Sequence, residues 1–104
     1  MNEDQTIRIV LHAPTAAALK RARSNAGNLQ AAQPRPLVRI VVNAEAVAAA
    51  LDEPSPAADA ITLVCRNTLN KLGRSAPAPL AILEEGAVLG LARMQREGWS
   101  YIRA

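Results

Sequence analysis

Residues 60–73 read AITLVCRNTLNKLG, and they hold the only cysteine of the chain. The ITLV segment at 61–64 is a short β-branched and apolar run of the kind a buried strand needs. Leu69 and Leu72 then recur at helical spacing before Gly73. Cys65 therefore stands where a strand hands over to a helix. A helix N-terminus presents unpaired N–H groups and a partial positive charge, and both stabilise a thiolate over a thiol. Such sites lower a cysteine pKa from about 8.5 into the range of roughly 3.5–7.5. The competing reading is core filler, because free cysteine is among the residue types most often buried.

The same alternation extends in both directions. Upstream, LVRIVV at 37–42 is a nearly continuous apolar strand, and Asn43 follows it as the expected N-cap of a helix over 44–51. Glu45 is well placed near the positive end of that helix dipole. Before it, TIRIVL at 6–11 reads as a strand that ends at His12, Ala13 and Pro14. A helix is expected from Thr15 to about Gln33, capped by Thr15 or Ala13, with Leu19, Ala22, Ala26 and Leu29 as its apolar stripe. Pro34 and Pro36 stop it. DEPSPAAD at 52–59 reads as a Pro-rich flexible loop leading into the Cys65 strand. Downstream, RSAPAP at 74–79 precedes a short strand at 80–83. A last helix over 85–97 is expected to place Val88, Leu91, Ala92 and Gln95 on one face, with Gly98 as C-cap and WSYIR at 99–103 as the closing strand.

Apolar runs buried on both faces typify parallel sheets covered by helices. The expected architecture is one α/β domain: a three-layer α/β/α sandwich around a mostly parallel five-stranded sheet, with right-handed crossovers. A chain of 104 residues has room for one such core. Half of the residues are hydrophobic, but there is no Phe, and Trp99 and Tyr101 are the only aromatics. A core of Leu, Ile, Val and Ala buries little area per residue, so association into a homo-oligomer is expected.

Composition also narrows the function classes. Lys and Arg exceed Asp and Glu by 12 to 9 without forming a basic block, and KRAR at 20–23 reads as a solvated helix face. That pattern, with no interleaved aromatics, argues against nucleic-acid binding. A single cysteine rules out an intramolecular disulfide and a multi-Cys metal site. A single histidine without a local carboxylate cluster provides no metal set. Dinucleotide, P-loop and GxSxG signatures are missing, so no cofactor is expected. The start, MNEDQTIRIV, has no secretory pattern, and no apolar segment approaches the roughly 18 residues of a membrane span, so a cytoplasmic location is expected.

In an open parallel sheet, ligands bind at the carboxyl ends of the strands. His12, Asn43 and Cys65 occupy that position in three successive units. If strand order brings His12 close to Cys65, the imidazole can share a proton with the thiol; otherwise it bonds backbone at its strand end. Asn43 reads first as a helix cap and second as a ligand contact. Asn67 and Thr68, in the first turn after Cys65, either cap that helix or shape a pocket around the sulfur. Trp99 and Tyr101 share one face of the last strand by alternation and pack into the core or a subunit contact.

The ordered set IVLHAPT, VRIVVNAEAV, LVCRNTLNKLG and LARMQREGWSYIRA resembles the DsrE/DsrF-like intracellular sulfur oxidation family over nearly the whole chain. Its most specific parts are C-x-N-T-L from Cys65 to Leu69 and L-x-x-x-Q-x-E-G-[WY]-x-Y-I from Leu91 to Ile102. The resemblance implies the three-layer fold, trimers or hexamers, and a sulfur-carrying role for Cys65, with His12 and Asn43 as strand-end neighbours. Ala44 departs from the pattern, since relatives often carry glycine there. The function expected is a small cytoplasmic sulfur-relay protein that holds sulfane sulfur as a persulfide on Cys65 and passes it to a partner thiol. It would act as a carrier more than as a multiple-turnover enzyme. His12 is the expected proton partner. Arg66 and Asn67 would stabilise an anion through their N–H groups, and Asn43 and Thr68 would complete the ligand contacts. The alternative is a binding module with an inert Cys65 that takes a small anionic ligand or a protein partner.

Overall fold

The computed structural model describes residues 6–104. The start of the chain, read above as carrying no secretory pattern, lies in part outside the described residues. The three longest apolar runs form the middle of the sheet: β1 (Arg8–Ala13), β2 (Leu37–Val42) and β3 (Thr62–Cys65). The edges are β4 (Ala81–Leu83) and β5 (Ser100–Arg103). All four pairings are parallel, and the strand order is β4-β3-β2-β1-β5. Register runs from Arg8 opposite Leu37 to Ala13 opposite Val42, and on the other flank of β1 from Ile9 opposite Ser100 to His12 opposite Arg103.

The helices are α1 (Ala16–Gln30), α2 (Glu45–Asp52), α3 (Pro56–Asp59), α4 (Arg66–Leu72) and α5 (Ala87–Arg96). Because side chains alternate across a strand, each inner strand feeds two cores. Ile9, Leu11, Val38, Ile40, Val42 and Val64 pack on one face with Leu19 and Ala22 of α1, Val47 of α2 and Leu69 of α4. Val10, Val41 and Cys65 pack on the other with Ala87, Leu91 and Met94 of α5. The reason lies in the order of connections. The chain steps from β1 to β4 in one direction, so right-handed crossovers put the helices between those strands on one side. The return from β4 to β5 runs back over the sheet, and α5 alone covers the opposite face.

Three local expectations are corrected. Residues 52–59 contain a helical turn, α3, with Pro56 at its start. Asp59 closes that turn: its carboxylate accepts from the Ser55 N–H at 3.1 Å and pairs with Arg23 at 3.3 Å, while Thr62 donates to the Ala58 carbonyl at 2.7 Å. Helix α5 is rotated from the expected face. Leu91 is buried as expected, with Ala87, Gly90 and Met94, whereas Val88 is 79% exposed and Ala92 and Gln95 also face outward. The reason is that Gly90 lets the helix lie close against Leu83, where an added Cβ would meet Leu83 methyl groups at 3.1 Å. Finally, Asn43 does not cap α2. The cap position is held by Ala44, which has no side-chain acceptor, and the Asn43 side chain turns to the site described next. Helix α1 begins as expected, with Thr15 Oγ1 accepting from the Ala18 N–H at 3.0 Å, and ends at Gln30, short of residue 33.

Candidate functional site

A single helix is about 10–12 Å across, while five strands at ~4.8 Å spacing reach about 19 Å from edge to edge. Helix α5 therefore cannot roof the whole of its face, and the carboxyl ends of the strands stay open beside it. A pocket of about 400 Å³ lies there, with Asn43, Cys65, Asn67, Glu85 and Gly86 on its walls and Val88, Leu89 and Ala92 of α5 along one side. Arg66 and Thr68 do not line it.

Cys65 ends β3, and its residue is 5% exposed. The sulfur faces the pocket side, where it accepts the Ala87 N–H at 3.3 Å from the start of α5. Burial pushes the thiol pKa up. That effect is outweighed by the polar groups of Thr68 and Asn67 at the start of α4 and by the Ala87 N–H, which hold it below its ordinary value of 9.0. Asn67 and Thr68 stand in the first turn of α4 beside the sulfur, and Asn67 lines the pocket. The Arg66 N–H is not among the groups that lower the pKa. Thr68 is itself held in place, since its Oγ1 accepts the Ala44 N–H at 3.2 Å. Local sequence pattern does not point to Ala87. It lies twenty-two positions away in another unit, although the rule that singles out strand ends points equally to the turn after β4.

That turn is built for close approach. Gly86 has φ 83°, and a Cβ there would lie 2.7 Å from Asn67 Nδ2. Both arginines nearby are engaged by carboxylates. Arg66 pairs with Glu84 through two contacts, at 2.5 and 3.2 Å, and Arg93 pairs with Glu85 at 2.5 Å. The Arg66 hydrogen bonds hold the exposed Glu84 carboxyl below its usual range. The Arg66 guanidinium thus turns to Glu84 and not to the pocket.

His12 lies on β1, with β2 between it and β3, so two strand spacings, roughly 9–10 Å, separate the backbones. No hydrogen bond joins His12 to Cys65 among the described residues. Both ring nitrogens are used otherwise: Nε2 bonds Asn43 Oδ1 at 2.9 Å and Nδ1 bonds the Tyr101 hydroxyl at 2.6 Å. The condition for direct proton sharing with the thiol is not met, and the expected backbone bond at the strand end is replaced by these two side chains. Trp99 and Tyr101 do share the α5 face. Trp99 packs against its core below the Arg39 guanidinium, and Tyr101 is exposed.

Among the described residues, no group of three or more His, Cys, Asp or Glu side chains is disposed to hold a metal ion, and no helix is long and apolar enough to cross a membrane. Comparison with models of known protein families yields no match, and comparison with curated protein sequences yields none. Chemically, the arrangement offers a thiol whose ionised form is stabilised by polar groups at the starts of two helices and which opens on a pocket with one apolar side.

Proposed function

We propose that this chain is a cytoplasmic sulfur-relay protein of the DsrE-like type that carries sulfane sulfur on Cys65. The observation that supports the reading is the Ala87 N–H donated at 3.3 Å to a sulfur that stands at the start of α4 and borders the pocket. In the reaction, the Cys65 thiolate attacks the outer sulfur of a donor persulfide, R–S–SH. The new bond is Cys65–S–SH, the bond broken is the donor's S–S bond, and the donor leaves as R–S⁻. The sulfane sulfur changes carrier without an outside oxidant. Delivery reverses the roles, with a partner thiolate attacking the outer sulfur of Cys65–S–SH. The acceptor belongs to another copy or another protein, because the chain has one cysteine. A homo-oligomer, trimer or hexamer, accompanies this reading.

The 5% exposure of Cys65 favours a second reading, in which the thiol is inert and the site binds a small anion or a protein. Intact-mass measurement after exposure to polysulfide separates the two. The relay reading expects addition of sulfur to the wild-type chain and none to Cys65→Ser. Absence of added sulfur, or addition that survives the substitution, supports the inert site.

A further inference from the structure

Four neighbouring strands each bring one polar or nucleophilic side chain to the open end of the α5 face, in spatial order: Tyr101 on β5, His12 on β1, Asn43 just after β2 and Cys65 on β3. The first three are joined by hydrogen bonds of 2.6 and 2.9 Å. Asn43 and Cys65 stand one residue beyond the Val42–Val64 pair, level with each other, and both line the pocket. From this geometry we infer that Tyr101 is a positioning residue for the Cys65 pocket, acting through His12 to orient the Asn43 amide. The inference rests on the reading of Cys65 as the reacting group.

The hydrogen-bond polarity runs one way. Asn43 presents its carbonyl oxygen to His12, so Nε2 must carry the proton and donate. In the neutral ring Nδ1 is then an acceptor, and the Tyr101 O–H donates to it. Tyr101 thereby holds the ring with Nε2 aimed at Oδ1 of Asn43, and the amide nitrogen is left as the donor that Asn43 offers to the pocket. An N–H donor directed into the pocket that Cys65 also lines stabilises negative charge developing on a sulfur held there. Sequence reading assigns Tyr101 to packing and His12 to proton transfer. The strand order replaces both roles with orientation, since β2 inserts Asn43 between the imidazole and the thiol.

The test combines ring-nitrogen NMR with reaction rates. At about pH 8, long-range ¹⁵N–¹H correlation spectra of the full chain should show His12 protonated on Nε2. Tyr101→Phe should loosen the orientation of the His12 ring and slow iodoacetamide alkylation of Cys65 by about fivefold, the worth of one hydrogen bond. Asn43→Ala should slow it as well, and the double variant should be no slower than Asn43→Ala alone, because the two act in series. A wild-type ring protonated on Nδ1, a Tyr101→Phe rate equal to wild type, or additive losses in the double variant each overturn the inference. Sulfur loading is scored separately: if it fails while tautomer and coupling hold, the positioning role stands and the sulfur-carrier reading falls.

Discussion

Ala44 adopts φ 49° and ψ −134°, a region where a side-chain-bearing residue is strained and glycine is not. The strain has a local partner, because the Ala44 N–H holds Thr68, whose polar groups help hold the Cys65 pKa down. Ala44→Gly should therefore raise stability by about 0.5–1 kcal/mol, measured as an upward shift of the urea midpoint. For Cys65 the sign of the pH effect follows from a native pKa held below the ordinary 9.0. The native chain loses the thiol proton at lower pH than the unfolded chain. The resulting stabilisation is fully present above about 9 and is lost as pH falls through the lower native value. Alkylation of Cys65 followed against pH should accordingly show a midpoint below 9.0, and Cys65→Ser should remove the matching slope in stability. At this scale the chain order made the strand-to-helix position of Cys65 legible. It left Ala87 and Tyr101 hidden, because each reaches the site from a distant unit.

Among the elements, α5 shows how periodicity identifies a helix and misses its phase. Val88, Leu91, Ala92 and Gln95 recur at helical spacing, but so do Ala87, Gly90, Leu91 and Met94, and the second set is the buried one. Hydropathy weighs Val88 above Gly90; close packing against Leu83 weighs the absence of a side chain more. Leu91→Ala should cost about 2–3 kcal/mol of stability, whereas Val88→Ala should change it by less than about 0.5 kcal/mol, both read from denaturant melts. Helix α3 teaches the converse. DEPSPAAD reads as a loop because of its prolines, yet Pro56 suits the first turn of a helix, and the buried Asp59 carboxylate ties that turn to Arg23 of α1. A long-range ion pair of that kind leaves no local periodicity to read.

For the molecule as a whole, the order β4-β3-β2-β1-β5 decides which strand ends meet. It sets β2 between His12 and Cys65, leaves α5 as the sole cover of one face, and makes an edge of β5, all of whose residues are exposed. Amide exchange should follow the same order: slowest in β2, which is paired on both sides within the core, and fastest in β4 and β5. Protection of β5 matching that of β2 would instead show that another copy pairs along this edge.

The linear order of residues determined the alternation of strands and helices, the single layered domain, the parallel sheet, and the gathering of His12, Asn43 and Cys65 at one end of it. Those properties depend on local hydrophobic periodicity and on the handedness of short connections, which act between neighbours in the chain. Tertiary structure alone decided the order of the strands, the phase of α5, the Tyr101–His12–Asn43 chain and the Ala87 N–H at the sulfur. These depend on contacts between residues far apart in sequence, and only close packing of the folded chain selects among them.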